Sequence, residues 1–308
     1  ISAPAQWRQR LPELQALYRL QAIATTAQHT AGWWGALNPP IYLVSVLPGL
    51  GVLLIAGDAP LWFEGLALAT FAVVLLQHAI NLLNDVSDWR LGADVEKFDS
   101  WIRVHNEDTR LASLHGLLSA LAGTVLGTGL LIWSDRLWIL LIAAPMVVLG
   151  YLYNAGSKPL SYTHLGEWVT GICYGPGVFG CLWLVAGFEA GAGMVAGMIA
   201  FGALAVALLL SHQPPQIATD RRAGKLSFAV RFGAARTVFT ARLLFAVFLA
   251  AVCGVIFMTA SSVLAYVLGA LAVILLALVA RGTVNPKRIL LAATAVVTVG
   301  ILISGFSA

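Results

Sequence analysis

Long apolar runs separated by short polar connections dominate this chain, and nine of them reach the roughly 17 to 25 residues that a helix needs to cross a bilayer core. They extend over Ala36 to Ala56, Phe63 to Ser87, Leu114 to Trp133, Leu137 to Tyr153, Glu167 to Gly187, Ala192 to Ser211, Thr237 to Met258, Val263 to Ala280 and Ile289 to Gly305. The pattern predicts an all-α, polytopic membrane protein with nine transmembrane helices. Ahead of them, Trp7 to Ala27 mixes Arg, Gln and Glu with Leu at helical spacing, which reads as an interfacial amphipathic helix and not as a signal peptide. The expected organisation is an interfacial segment over residues 1–35 and a nine-helix domain over residues 36–308.

The second run ends in amides and carboxylates, Asn81-Leu82-Leu83-Asn84-Asp85-Val86-Ser87-Asp88. On a helix, Asn81, Asn84, Asp85 and Asp88 fall within an arc of roughly 100°. Gln77 and His78 project from the same face one turn deeper. Gly92 offers a C-terminal stop after which the chain folds back, bringing Asp94 toward the same point. Carboxylates crowded at low dielectric repel one another unless a cation joins them. Hard oxygen ligands without His or Cys suit Mg²⁺ or Mn²⁺, and Mg²⁺ commonly combines one or two carboxylates with a substrate's phosphates. A phosphorylated ligand is implied.

The sixth run exits into a second polar cluster on the same membrane side, four spans after the first, as if two halves of a pseudo-repeat faced each other. Pro214 and Pro215 break the helix there, and Gln216 and Asp220 share a face if the following segment is helical. His212 is read as a capping or interfacial residue. The fourth run ends in Tyr151 to Tyr162: Lys158 and the tyrosines are phosphate contacts on one reading, and an orientation charge with interfacial belt residues on the other, the belt being preferred for Tyr162. The connection from Trp89 to Ala112 is either a solvated linker or a lid over a site. Gly123 and Gly127 point to close helix packing, and Gly171, Gly175, Gly177 and Gly180 around Pro176 to a tightly packed or bent fifth span.

Composition narrows the class: 59% of the 308 residues are hydrophobic, 10% are charged, and the mean hydropathy is +0.86, which excludes an ordinary soluble domain. With nine alternating spans, Arg136 alone of the 18 Lys and Arg residues falls on one side. The positive-inside rule then predicts a cytoplasmic N-terminus, an external C-terminus and both polar clusters at the cytoplasmic face of a multi-pass protein of the cell inner membrane. The net charge of +4 reads as orientation signal and anion attraction, with no case for nucleic acid. Cys173, Cys181 and Cys253 lack metal-ligand spacing and are expected as small buried hydrophobes.

With both clusters in view, the chain resembles the UbiA superfamily of intramembrane prenyltransferases, and within it the branch that prenylates 1,4-dihydroxy-2-naphthoate in menaquinone synthesis. The likeness rests on Asn84-Asp85-Val86-Ser87-Asp88 with Gly92-Ala93-Asp94, on Tyr153 through Lys158-Pro159 to Leu165-Gly166-Glu167, and on Asp220 through Gly224-Lys225 to Val230-Arg231-Phe232-Gly233. It implies a helical bundle around a central cavity open to lipid. There, a prenyl diphosphate held through Mg²⁺ loses its diphosphate, and an aromatic, quinone-precursor-like acceptor attacks the allylic cation. Carried onto this sequence, Asp85, Asp88 and Asp220 are catalytic, and Asp85, Asp88, Asp94, Gln216 and Asp220 are the metal set. Asn81, Asn84, Arg90, Lys97, Tyr153, Lys158 and Lys225 are the diphosphate contacts.

One position departs from that pattern. The second motif normally opens with Asp, and here Gln216 stands in its place, a metal-ligating oxygen with no net charge. At an effective dielectric near 20, a lost unit charge at about 4 Å forfeits on the order of 4 kcal/mol per opposing charge before relaxation. This departure motivates one alternative, a catalytically reduced lipid- or quinone-binding subunit with protein partners in a membrane complex; a third reading is a terpene cyclase that uses the same ionisation without an aromatic acceptor.

Overall fold

The computed structural model describes residues 32–57, 59–93, 97, 99–259, 262–280 and 285–305. Residues 1–31, which hold most of the expected interfacial segment, lie outside the described residues, as does Asp94. The regular secondary structure of the described residues is helical, without strands. The reason is physical: in hydrocarbon a backbone must satisfy its own hydrogen bonds, and a helix does so within one segment.

The helices in chain order are α1 (Trp33–Leu37), α2 (Leu43–Ala56), α3 (Phe63–Leu91), the short α4 (Trp101–Val104), α5 (Thr109–Trp133) and α6 (Leu140–Asn154). Then come α7 (Gly166–Ile172), α8 (Gly180–Val185), α9 (Ala192–His212), α10 (Ile217–Arg222), α11 (Phe228–Phe232), α12 (Ala234–Thr259), α13 (Ser262–Ala280) and α14 (Pro286–Gly305). Among the described residues seven stretches are long and apolar enough to cross a membrane: Trp33–Ala56, Phe63–Leu91, Thr109–Trp133, Leu137–Asn154, Gly166–Val185, Ala192–His212 and Ala234–Val255. Large side chains such as Leu121, Leu141 and Trp168 stand exposed on the outside, as a lipid-facing surface requires. The chain is an integral, polytopic, all-α membrane protein.

Three local features set the frame of the site. The first span enters through Asn38, at φ 43°, and a 3₁₀ turn over Pro39–Tyr42. Helix α3 runs four residues past the expected end and stops at Gly92, whose φ of 81° lets the Ala93 N–H bond back to the Asp88 carbonyl at 2.9 Å. Between α7 and α8 lies a π-helical stretch, Cys173–Phe179, around Pro176, where the wider turn absorbs the missing proline N–H.

Helices α3 and α5 meet along a close seam. A Cβ on Gly123 would lie 3.0 Å from the Ala72 carbonyl, and one on Gly116 would lie 3.2 Å from Leu82 Cβ. Gly127, expected to share the seam, makes only ordinary contact, so the repeat runs from Gly116 to Gly123. The apolar core fills the rest of the bundle around Phe179, Phe201, Phe245 and Phe248. Arg136, the lone basic residue across the membrane by the nine-span reading, donates to the Leu184 and Val185 carbonyls at 2.6 and 2.9 Å and so satisfies the C-terminus of α8. A hollow of about 340 Å³ beside it, lined by Arg136, Trp138 and Phe188, contains none of the candidate acids.

Candidate active site

The polar arc of α3 faces inward, with Asp85 and Asp88 only 6% and 2% exposed, and Asp220 of α10 only 4%. Ionised groups at such depth demand partners, and each finds them. Asp85 accepts from Lys97 Nζ at 2.9 Å and from the Trp101 backbone N–H at 2.7 Å. Asp88 accepts from Asn84 Nδ2 one turn back at 2.8 Å, from the Tyr162 hydroxyl at 2.7 Å, and from Lys225 Nζ at 3.3 and 3.5 Å. Asp220 accepts from the Ser227 hydroxyl at 2.7 Å.

Lys225 ties the two motifs together. Its backbone N–H bonds the Asp220 carbonyl at 2.8 Å, while its ammonium reaches back to Asp88 on α3. The next residue, Leu226, bonds the Tyr162 carbonyl through its N–H at 3.0 Å, fastening this loop to the turn after α6. Burial pushes the Asp220 carboxyl above the usual carboxylate range. The Ser227 hydroxyl and the Lys225 charge pull it back, while Asp88 and Glu167 push it further up.

Glu167 builds the support behind this loop. Its Oε1 accepts from Gln213 Nε2 at 3.2 Å and from the Phe228 N–H at 2.8 Å, and Gln213 Oε1 accepts from the Ala229 N–H at 3.2 Å. These are the first two amides of α11, which have no intrahelical partner. Ser227 occupies the capping position but directs its hydroxyl to Asp220, so Glu167 and Gln213 cap the helix from neighbouring elements.

The remaining candidates divide. Tyr153 lies within electrostatic reach of Lys225, Asp88 and Glu167, and Asn81 is within hydrogen-bonding reach of Tyr42, one turn below Asp85. Arg90 is exposed on the far side of α3 and donates to Thr109 at 3.3 Å. Lys158 is exposed and makes no hydrogen bond or ion pair among the described residues. Gln216 is half-buried, and its side chain has no hydrogen bond among them either. His212 holds the Leu208 carbonyl at 2.9 Å, a local tie of the kind expected of it.

One expectation is corrected, and one of two open alternatives is set aside. Tyr162 is no belt residue: it is 7% exposed and spends its hydroxyl on Asp88, 74 residues away, which no local pattern foretells. The connection after α3 is no free linker, because Trp101 and Ile102 are buried at 2% and 0% exposure and Trp101 presents its amide to Asp85. Tyr162, Trp101 and Ser227 are the site residues that sequence reasoning missed, and Glu167 was seen only as part of the family motif.

These buried, oxygen-only donors, with Asp85 and Asp88 each paired to an ammonium, fit Mg²⁺ by chemistry. Among the described residues no group of three or more His, Cys, Asp or Glu forms a ready protein cage.

Known proteins bear on this arrangement. The chain is 32% identical over 216 residues to a 1,4-dihydroxy-2-naphthoate octaprenyltransferase of Mycobacterium tuberculosis, covering 67% of this chain and 72% of that protein. It is 27% identical over 226 residues to the chloroplastic 2-carboxy-1,4-naphthoquinone phytyltransferase of Arabidopsis thaliana, covering 68% and 57%. The fold matches a UbiA homolog from Archaeoglobus fulgidus bound to GPP and Mg²⁺, with a TM-score of 0.63 over 89% of this chain and 98% of that one at 17% identity. The UbiA prenyltransferase family profile spans residues 42–288, from the turn that opens the first span to the start of α14, so this chain is a member of that family.

Proposed function

We propose that the protein transfers a prenyl group from a prenyl diphosphate to an aromatic, quinone-precursor-like acceptor within the membrane, with a dihydroxynaphthoate as the acceptor class. The observation that carries the reading is Lys225, whose ammonium pairs with Asp88 while its backbone N–H bonds the carbonyl of Asp220, 132 positions further along the chain. A wall or anchor has no use for three buried acids at one end of a bundle. The naphthoate and naphthoquinone prenyltransferases among its relatives support the acceptor class.

In this reading Asp85, Asp88 and Asp220, with Asp94 and Gln216, hold Mg²⁺, which when bound neutralises charge on the departing diphosphate. Lys225 and Lys97 move from carboxylate to phosphate oxygens as charge-assisted donors. Tyr153 and Tyr162 orient the diphosphate from the α6 side, and Asn81 and Asn84 give neutral hydrogen bonds. The buried setting keeps water from the allylic cation. Nine spans around a central cavity, a cytoplasmic N-terminus and site, an interfacial segment over residues 1–35 and residence in the cell inner membrane complete the proposal. The charge distribution of the loops supports that orientation.

The test is Mg²⁺-dependent formation of prenylated product by the purified protein, abolished in Asp85→Asn and Asp88→Asn. Unchanged turnover in both variants sinks the mechanism. Gln216, uncharged where the family carries an acid, favours a second reading, a lipid- or quinone-binding subunit. Stoichiometric copurification with partner proteins and no turnover would select it.

A further inference from the structure

Behind the α3 carboxylates runs a chain of aromatic acids and bases that the prenyl-transfer reading leaves unused. The Tyr42 hydroxyl lies 2.6 Å from His78 Nδ1, His78 Nε2 lies 3.2 Å from His115 Nε2, and His115 Nδ1 lies 3.1 Å from His105 Nε2. These residues come from four elements: the turn before α2, helix α3, helix α5 and the end of α4. Tyr42 sits at the inner end, within reach of Asn81 and in the field of Asp85, and shares its surroundings with Tyr153 and Tyr174. His105 sits at the outer end, half-buried, with exposed Asn106 and Glu107 following it.

One assignment of tautomers satisfies all three contacts: Tyr42 donates to His78, His78 to His115 and His115 to His105. The reverse assignment satisfies them equally. Two such states are what a chain of imidazoles occupies before and after one proton has passed along it. Indole rings keep the imidazoles in place. Trp101 stands edge-on to His78 and His115 at 5.0 and 5.3 Å, and Trp33 covers His105 and His115 at 6.1 and 5.6 Å. Among the described residues no carboxylate or ammonium is hydrogen-bonded to any of the three imidazoles, so nothing there traps the charge.

Resting on the prenyl-transfer reading, we propose that Tyr42, His78, His115 and His105 form a proton relay between the aromatic acceptor and the aqueous loop after α4. As the acceptor's ring carbon bonds to the prenyl carbon, the carbon–oxygen bond breaks and its electron pair leaves with the diphosphate. The acceptor's hydroxyl loses its proton to Tyr42 Oη, which yields its own to His78. His78 passes one from Nε2 to His115, His115 passes one from Nδ1 to His105, and His105 releases one from Nδ1 to water. Where the attacked carbon bears hydrogen, that hydrogen then moves as a proton to the acceptor's oxygen, for a net release of one proton. Where it bears a carboxylate, CO₂ leaves and a proton returns along the same path to that oxygen. Tyr42 is the catalytic residue of this set, and the histidines act through it.

The experiment uses the full-length protein in nanodiscs with geranyl diphosphate, Mg²⁺ and 1,4-dihydroxy-2-naphthoate. His115→Ala should lower the rate of product formation about 100-fold, leave Mg²⁺-dependent binding of geranyl diphosphate intact, and recover with added imidazole. His115→Phe, which fills the space, should be equally slow and show no recovery, and Tyr42→Phe, which removes one oxygen, should match its rate. A His115→Ala protein at the wild-type rate, or a loss indifferent to imidazole, overturns the relay. If the wild-type protein forms no prenylated product the functional reading fails, and the relay is then judged on the imidazole ¹⁵N shifts alone. His105→Phe should shift the tautomer balance at His78, two links away, and an unmoved His78 signal overturns it.

Discussion

Asp88 on α3 is met by three side chains from three parts of the chain, Asn84, Tyr162 and Lys225, whereas Asp220 on α10 is met by one hydroxyl seven positions along. The second motif, carrying Gln216, holds a single acid among the described residues and contributes a cation instead. Lys225 belongs to it in sequence but neutralises the first. The two motifs are therefore unequal partners: one concentrates negative charge, and the other supplies a counter-charge and a single further acid.

The sharpest way to break this comparison is Asp88→Asn, which leaves the Lys225 ammonium buried against a neutral amide. Loss of one partner from a buried pair costs about 3 to 5 kcal/mol, and Mg²⁺-dependent diphosphate release should fall by about 100-fold or more. Lys225→Met tests the bridge itself. Hydrogen bonds to charged groups are worth about 1.5 to 3 kcal/mol, so the affinity for prenyl diphosphate should drop about 10- to 100-fold, with a lowered melting temperature from unpaired Asp88. A smaller effect of opposite sign is expected from Gln216→Asp, which restores charge to the weaker motif. Its half-saturating Mg²⁺ concentration should fall about tenfold, part of the Coulomb limit set at this distance.

Ser227→Ala sharpens the comparison through pH. The folded-state pKa of Asp220 is raised, so the apo protein loses stability as pH rises from the ordinary carboxylate value through the raised one, while Mg²⁺ binding is lost as pH falls through that same window. Removing the Ser227 hydroxyl takes away a contact that holds the pKa down. The acidic limb of Mg²⁺-dependent binding should move to higher pH in a titration from neutral to acid. The smallest effect is assigned to Lys158→Ala: an exposed lysine with no partner among the described residues should change turnover by no more than about twofold.

What could be read from the chain was what a single helix encodes. The inward arc of Asn84, Asp85 and Asp88 and the stop at Gly92 follow from the helical repeat and glycine's tolerance of positive φ. The break at Pro214-Pro215 followed by a helical turn carrying Asp220 was legible for the same reason. The pairing of Tyr162 and Lys225 with Asp88 was not, because that partner lies 74 and 137 residues away and any aromatic or basic residue at a membrane boundary has an interfacial explanation. Glu167 was visible as part of a family motif, yet its role as a cap for α11 depends on how α7 and α9 cross. The histidine chain escaped notice because its members come from separate elements, each unremarkable alone.

The seam between α3 and α5 reaches beyond packing. A Cβ on Gly123 would meet the Ala72 carbonyl at 3.0 Å, and Ser119 clips the Leu75 carbonyl at 2.9 Å, one turn from the level where His78 meets His115. A methyl at Gly123 would press on that carbonyl and require it to give by a few tenths of an ångström, close to a 3.2 Å link between imidazoles that has little length to spare. The smallest side chain in the bundle thus acts as a mechanical gauge, fixing the clearance on which a hydrogen-bonded path depends.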